Sequence, residues 1–146
     1  MFSENYQPRT ALESAKKALD PNLTDHELAQ LAFSEEAMVR AAVAERPNTP
    51  LTTLLRLAAD VAPAVRAGVA RNQRVDIPIE LREDLAKDKS LEVVFALISN
   101  PAVPGSLIGK LARSRNRDIA MAARKRLQES GGAGARILST FGIATS

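Results

Sequence analysis

His26 is the only histidine of the 146-residue chain, and there is no cysteine. That excludes thiolate metal sites, iron–sulfur ligation, disulfides and cysteine nucleophiles. His26 stands between Asp25 and Glu27. An imidazole acting in acid–base chemistry needs a nucleophile in reach and a partner that orients the ring. Nothing in the sequence marks either, so His26 reads as an exposed residue in the first turn of a helix. A metal held without thiolates would need several carboxylates. Asp25, Glu27, Glu35 and Glu36 are near in sequence, but they fall on different helical faces or in the next helix. Glu35-Glu36 and Glu83-Asp84 read as helix starts or outer faces, and the helix dipole accounts for the first pair. Gly131-Gly132-Ala133-Gly134 lacks the Lys-Ser/Thr of a phosphate loop, and no strand precedes it. It reads as a helix stop and a flexible linker. The expectation is a protein with no catalytic residue, no cofactor and no metal.

The other chemistry is charge. The net charge is +3, but it is laid out as a gradient. Residues 1–46 sum to −3, residues 47–100 to zero and residues 101–146 to +6. The last stretch holds Lys110, Arg113, Arg115, Arg117, Arg124, Lys125 and Arg126, a candidate basic binding patch. Arg113, Arg115 and Arg117 are expected in a loop between two helices, and Arg124, Lys125 and Arg126 in the last turn of the second. Arginine outnumbers lysine 14 to 6, which suits bidentate contact with phosphate or carboxylate. Aromatic residues are absent from the cluster, which argues against base stacking on single strands.

These side chains must be positioned by helices. Alanine and leucine dominate the composition, hydrophobic residues make up 45% and charged residues 25%, a globular balance that favours helix over sheet. The chain also repeats itself. Leu28-Ala29-Gln30-Leu31-Ala32 followed by Val39-Arg40-Ala41-Ala42-Val43-Ala44 returns 26 residues later as Leu54 to Ala58 and Val65 to Ala70. Leu85-Ala86 with Val93 to Ile98 follows at an offset of 28, and Leu111-Ala112 with Ile119 to Arg124 at 26 again. The links keep the register: Asp20-Pro21-Asn22-Leu23-Thr24, Arg46-Pro47-Asn48-Thr49-Pro50 and Asn100-Pro101-Ala102-Val103-Pro104 align, and the link from Asn72 to Pro78 has two extra residues and lacks the first proline. Each unit reads as two short helices. Thr49 is expected to cap a helix with Pro50 in its first position, Leu51, Leu54, Leu55 and Ala58 to form its buried stripe, and Pro63 to begin the next helix. Ser90 is expected to cap the stripe of Leu91, Val94, Phe95 and Ile98, and Ile119, Ala122, Ala123 and Leu127 form the last. Thr24-Asp25-His26-Glu27 has the form of a capping box, and Thr10 to Glu13 likewise, predicting a helix over about 10 to 19. Helices this short are marginal alone and need stacked neighbours.

The pattern Leu-x-x-Leu-Ala, Val-Arg-x-x-Val-Ala, Asn-Pro-x-x-Pro resembles the variant leucine-rich repeat (LRV) family, over about residues 21–127. The resemblance implies an all-α fold: a short right-handed α–α superhelix, or solenoid, similar to HEAT and armadillo arrays. It implies four two-helix repeats of about 26 residues at 21–46, 47–72, 73–100 and 101–127. A capping helix within residues 1–20 would precede them, and a glycine-rich linker with an apolar tail at 128–146 would follow. In the family's original description one helix of each pair is 3₁₀, with longer units of this kind α/α throughout. The cysteine-ligated iron–sulfur domain of the family's best-known example cannot be carried over to a chain without cysteine. Arg40 and Arg66, at one repeat position, are candidate repeat-face arginines. They read either as scaffold groups bonding loop carbonyls or carboxylates such as Asp60, or as a ligand-reading ladder, which the loss of arginine at Val94 and Ala120 shortens.

The expected function is a non-enzymatic binding module for a protein partner. The alternative is nucleic-acid binding, through the phosphate backbone, on the basic last repeat. A helical-repeat glycosylase would need acidic and aromatic side chains in a cleft, and one Tyr with four Phe are too few. Ile137, Leu138 and Phe141, with Ile143, form a candidate docking tail that either packs back on the array or engages a partner. Acidic and basic ends also suit head-to-tail self-association. The first residues carry no basic, apolar leader and no run is long enough to span a bilayer, so the expected location is cytoplasmic, with no membrane partner.

Overall fold

A computed structural model describes Glu13 and residues 16–130. These residues form eight α-helices and no strand: α1 (Asp25–Leu31), α2 (Ala37–Glu45), α3 (Leu51–Leu57), α4 (Pro63–Arg71), α5 (Ile79–Ala86), α6 (Leu91–Ser99), α7 (Gly105–Leu111) and α8 (Arg117–Glu129). Both helices of every unit are α. Glu13, Lys16 and Lys17 are helical, within the helix expected over 10 to 19. Ile137, Leu138, Phe141 and Arg136 lie outside the described residues.

The helices pack consecutively as an α-solenoid. The second helices form its spine, α2 on α4, α4 on α6 and α6 on α8, and each first helix leans on the second helix of its own unit. One hydrophobic cluster runs unbroken from Ala18 to Leu127. Equivalent positions fill it unit by unit, as with Val39, Val65, Val93 and Ile119. The middle second helices are enclosed on both sides, so burial there exceeds a single stripe. Val65 to Ala70 are six consecutive buried residues, and α6 buries Val93 and Leu97 beside the expected Val94 and Ile98. A helix sandwiched between neighbours loses its polar face.

Some local expectations are corrected. In α3 the inward pair is Leu54 and Leu57, while Leu55 is turned outward at 46% exposure. In α6, Leu91 is exposed. Pro50 is itself the N-cap of α3, as Pro78 and Pro104 are for α5 and α7. Thr49 is buried in the link instead, and its hydroxyl donates back to the Val43 carbonyl at 2.6 Å. Ser90 is the N-cap of α6, but its hydroxyl makes no capping bond. The box at Thr24 is only half as expected: the Glu27 N–H donates to Thr24 Oγ1, and that hydroxyl donates to the Glu27 carboxylate. Pro63 begins α4 as read.

The spine is tightest at Gly68. A Cβ there would stand 2.8 Å from the Ala41 carbonyl oxygen and 3.0 Å from the Ala44 Cβ, both on α2. Backbone cannot swing aside, so α2 and α4 would have to separate. Gly68→Ala gains about 1 kcal/mol of helix propensity and meets about 1–3 kcal/mol of overpacking. The expected result is a net loss, read as a lower denaturant midpoint; a raised midpoint would mean that the two helices have room to part.

Candidate binding surface

Two sets of polar side chains sew the units together. The first begins at Arg40. Its guanidinium forks onto Asp60 of the next unit, Nε to Oδ2 at 2.8 Å and Nη2 to Oδ1 at 3.1 Å, while Nη1 donates to the Ser34 and Glu35 carbonyls of its own unit. Arg66 repeats this one unit on, with Asp88 at 2.8 and 3.1 Å and the Asp60 and Val61 carbonyls at 2.7 and 3.2 Å. The third equivalent position is Val94, and the position matching Asp60 and Asp88 in the fourth unit is Ser114. The charge pair is therefore lost as a pair. These geometries give Arg40 and Arg66 inter-unit bonds and leave no fork aimed at a ligand.

Residues 37–61, which run from α2 through the link and α3 to the following loop, match the family model described as leucine rich repeat variant. Over that stretch the chain is similar to a leucine rich repeat variant. The matched stretch holds both Arg40 and Asp60, so a unit counted in this phase contains its own charge pair. No curated protein and no solved structure matches the chain.

The second set closes each unit. Arg46, Asn72, Asn100 and Arg126 hold one register position, the C-cap of the second helix in the first three units and a residue in the last turn of α8 in the fourth. They donate to Ala18, Ala44, Ala70 and Ile98 carbonyls, themselves equivalent, at 2.6, 2.9, 2.9 and 2.7 Å. Asn72 and Asn100 add a second carbonyl and accept the N–H of Arg74 and Ala102. Asn100-Pro101 is legible in the sequence as a repeat mark; the bonding of Asn72 and Asn100 is not, because the acceptors lie 26–30 residues away. No buried side-chain polar atom lacks a partner among the described residues.

The basic patch divides accordingly. Arg126 is corrected out of it: its guanidinium is spent on the Ile98 and Val103 carbonyls, and burial pulls its pKa down. Arg124 Nε donates to the Ala112 carbonyl, Lys125 lies 4.0 Å from Glu129, and Lys110 lies 3.6 Å from Glu83. Arg113 and Arg115 are exposed in the loop before α8, and Arg117 is the first residue of that helix. Because α8 runs on to Glu129, only Arg126 of the three lies in its last turn, and Arg124 and Lys125 precede that turn. Elsewhere Arg74 reaches the Thr49 carbonyl, Arg71 pairs with Glu45 at 3.2 Å, and Arg56 lies 3.5 Å over the Phe33 ring. His26 is exposed. No three His, Asp or Glu side chains converge as a metal site among the described residues. None of their helices is long and apolar enough to cross a membrane.

The carboxylates of the ladder respond to acid. Burial pushes the Asp60 carboxyl up, but the Arg40 bond, the Ala62 N–H and the Arg40 and Arg66 charges outweigh it and hold it low. The Arg66 bond lowers Asp88 further than burial raises it, and the Ser90 N–H adds to the effect. Unfolded aspartates take up protons near pH ~3.9. The folded ones do so only at lower pH, so their stabilisation is complete above the unfolded value and fades as pH falls through the folded ones. The denaturant midpoint should therefore drop steeply below about pH 4, and less steeply in Asp60→Asn/Asp88→Asn. Parallel slopes for the two proteins would remove these pairs as the cause.

Proposed function

We propose that this chain is a non-enzymatic helical-repeat module that binds a protein partner. The observation that carries the reading is the fate of the arginines. Arg40, Arg46, Arg66, Arg74, Arg82, Arg124 and Arg126 each donate to backbone carbonyls of the array. A phosphate-tracking surface needs a continuous row of available cations. Arg66 and Arg74, which would carry such a stripe through the middle units, are engaged internally, so the exposed cations of the last two units are not joined by them to Lys16, Lys17 and Arg56, which are exposed elsewhere. Variant repeats with equivalent exposed positions suit partner recognition along the array.

Affinity capture on the intact chain, with and without nuclease, tests this. A partner protein retained after nuclease treatment is the expected result. Loss of everything bound on nuclease treatment, together with duplex affinity that falls steeply with salt, would replace the reading with nucleic-acid binding.

A further inference from the structure

The loops between first and second helices share one turn. Ser34 Oγ, Asp60 Oδ1, Asp88 Oδ1 and Ser114 Oγ each accept the backbone N–H two residues on, at 2.8–3.2 Å. Arg40 and Arg66 then tie the first loop to the second and the second to the third. The residues flanking each turn are thus held in register along one edge. They read Phe33 and Glu35, Ala59 and Val61, Lys87 and Lys89, Arg113 and Arg115, and all are exposed. The row passes from acidic through apolar to basic. Lys89 lines an open cleft of about 500 Å³ with Ala59, Asp60, Val61, Arg66 and Asp88. Val61 is 90% exposed at its rim. Lys87 and Lys110 share a cavity of about 170 Å³ between α5 and α7, so the third and fourth units meet at this edge. Among the described residues no ion pair holds Lys87, Lys89, Arg115 or Arg117.

We propose that this edge is the docking surface, and that it takes an extended acidic segment of the partner protein with carboxylates three residues apart and an apolar residue beyond them. The proposal rests on the protein-binding reading above. Packed helices stand about 8–10 Å apart, and a segment extended as polyproline II advances about 3.1 Å per residue with three residues per turn, so every third side chain faces the edge and meets the next unit. Carboxylates would face Arg115 and Lys89, and the apolar residue would enter the cleft at Val61. The edge disfavours a nucleic-acid strand: its basic part covers two units, then meets Val61, Glu35 and Glu36, and Phe33, at the acidic end, already carries Arg56 on its ring, away from Lys87, Lys89, Arg113 and Arg115.

The test titrates a fluorescein-labelled peptide, one valine followed by glutamates at every third position with Gly-Ser between, into the intact chain. Lys89→Glu/Arg115→Glu should weaken binding about tenfold, Val61→Asp should weaken it too, and Lys125→Glu, away from the turns, should leave it near the wild-type value. All four residues are exposed, and circular dichroism checks that each variant folds. Absent binding, equal binding to the double variant, or tighter binding of an oligonucleotide of the same charge would overturn the proposal. A captured partner that the double variant still holds would refute this edge and leave the module reading intact; no captured partner at all would refute the module.

Discussion

Arg66→Ala should cost about 3–5 kcal/mol of stability, the range for removing one member of a buried ion pair. The Arg66 and Asp88 side chains are each only 10% exposed. Truncation leaves the partly buried Asp88 carboxylate without its cation, and takes the donor from the Asp60 and Val61 carbonyls. Lysine should recover little, because one ammonium cannot fork onto a carboxylate and reach two carbonyls as well. Arg66→Ala/Asp88→Ala should be less damaging than the two single losses summed, since contacting residues couple by about 0.5–3 kcal/mol. The location matters as much as the size. A solenoid holds together through nearest-neighbour interfaces, and Arg66 bridges the second and third units. Chemical denaturation followed by far-UV circular dichroism should show a lower midpoint and a transition that broadens as the two halves uncouple. A loss under about 1 kcal/mol would class the pair with exposed salt bridges.

Arg82→Ala is expected to cost about as much, by a different route. Arg82 occupies the register position of Leu28, Leu54 and Ile108, each fully buried, and is itself 4% exposed. Its guanidinium donates to the Ala102 carbonyl at 2.6 Å and the Arg74 carbonyl at 2.8 Å, so it ties down both links that flank its unit. One of those links, Asn72 to Pro78, is the one with two extra residues. No ion pair compensates the charge among the described residues, and burial lowers the pKa of the group. Alanine removes a buried stem, worth about 2–5 kcal/mol by analogy with large-to-small core changes, and orphans two carbonyls at about 1–3 kcal/mol each if water does not replace the donor. Leucine, the residue of the equivalent positions, restores the packing and removes a desolvated charge. Arg82→Leu should therefore be milder than Arg82→Ala. Equal losses would mean that the carbonyl bonds, and not the buried stem, carry the stability of this unit.

The basic patch illustrates the limits of reading charge from composition. Arg117 and Arg126 look alike in a list of residues, yet one is exposed and the other bonds carbonyls of the preceding repeat and link. The arginine excess is largely scaffold chemistry: a guanidinium has five donors in a fixed fork and can satisfy several carbonyls at once. One clue was present in the sequence. Arg40 and Arg66 are followed one unit later by Asp60 and Asp88, whereas Val94 is followed by Ser114. That paired loss is visible once the units are aligned.

The sequence by itself determined the helical repeat, its register and its break at the long link, because apolar periodicity and proline placement act over a few residues. It also determined that no thiol chemistry is available. Only the tertiary structure decided which charges remain exposed and which flank of each helix is buried. Leu55 faces outward and Arg82 inward, against their types: both sit on first helices, whose buried flank is set by the second helix and the links they lean on. The bonds from Arg40, Asn72 and Arg126 to equivalent points in adjacent units belong to the same level. Their partners lie a full repeat away in sequence and come into reach only when the units stack.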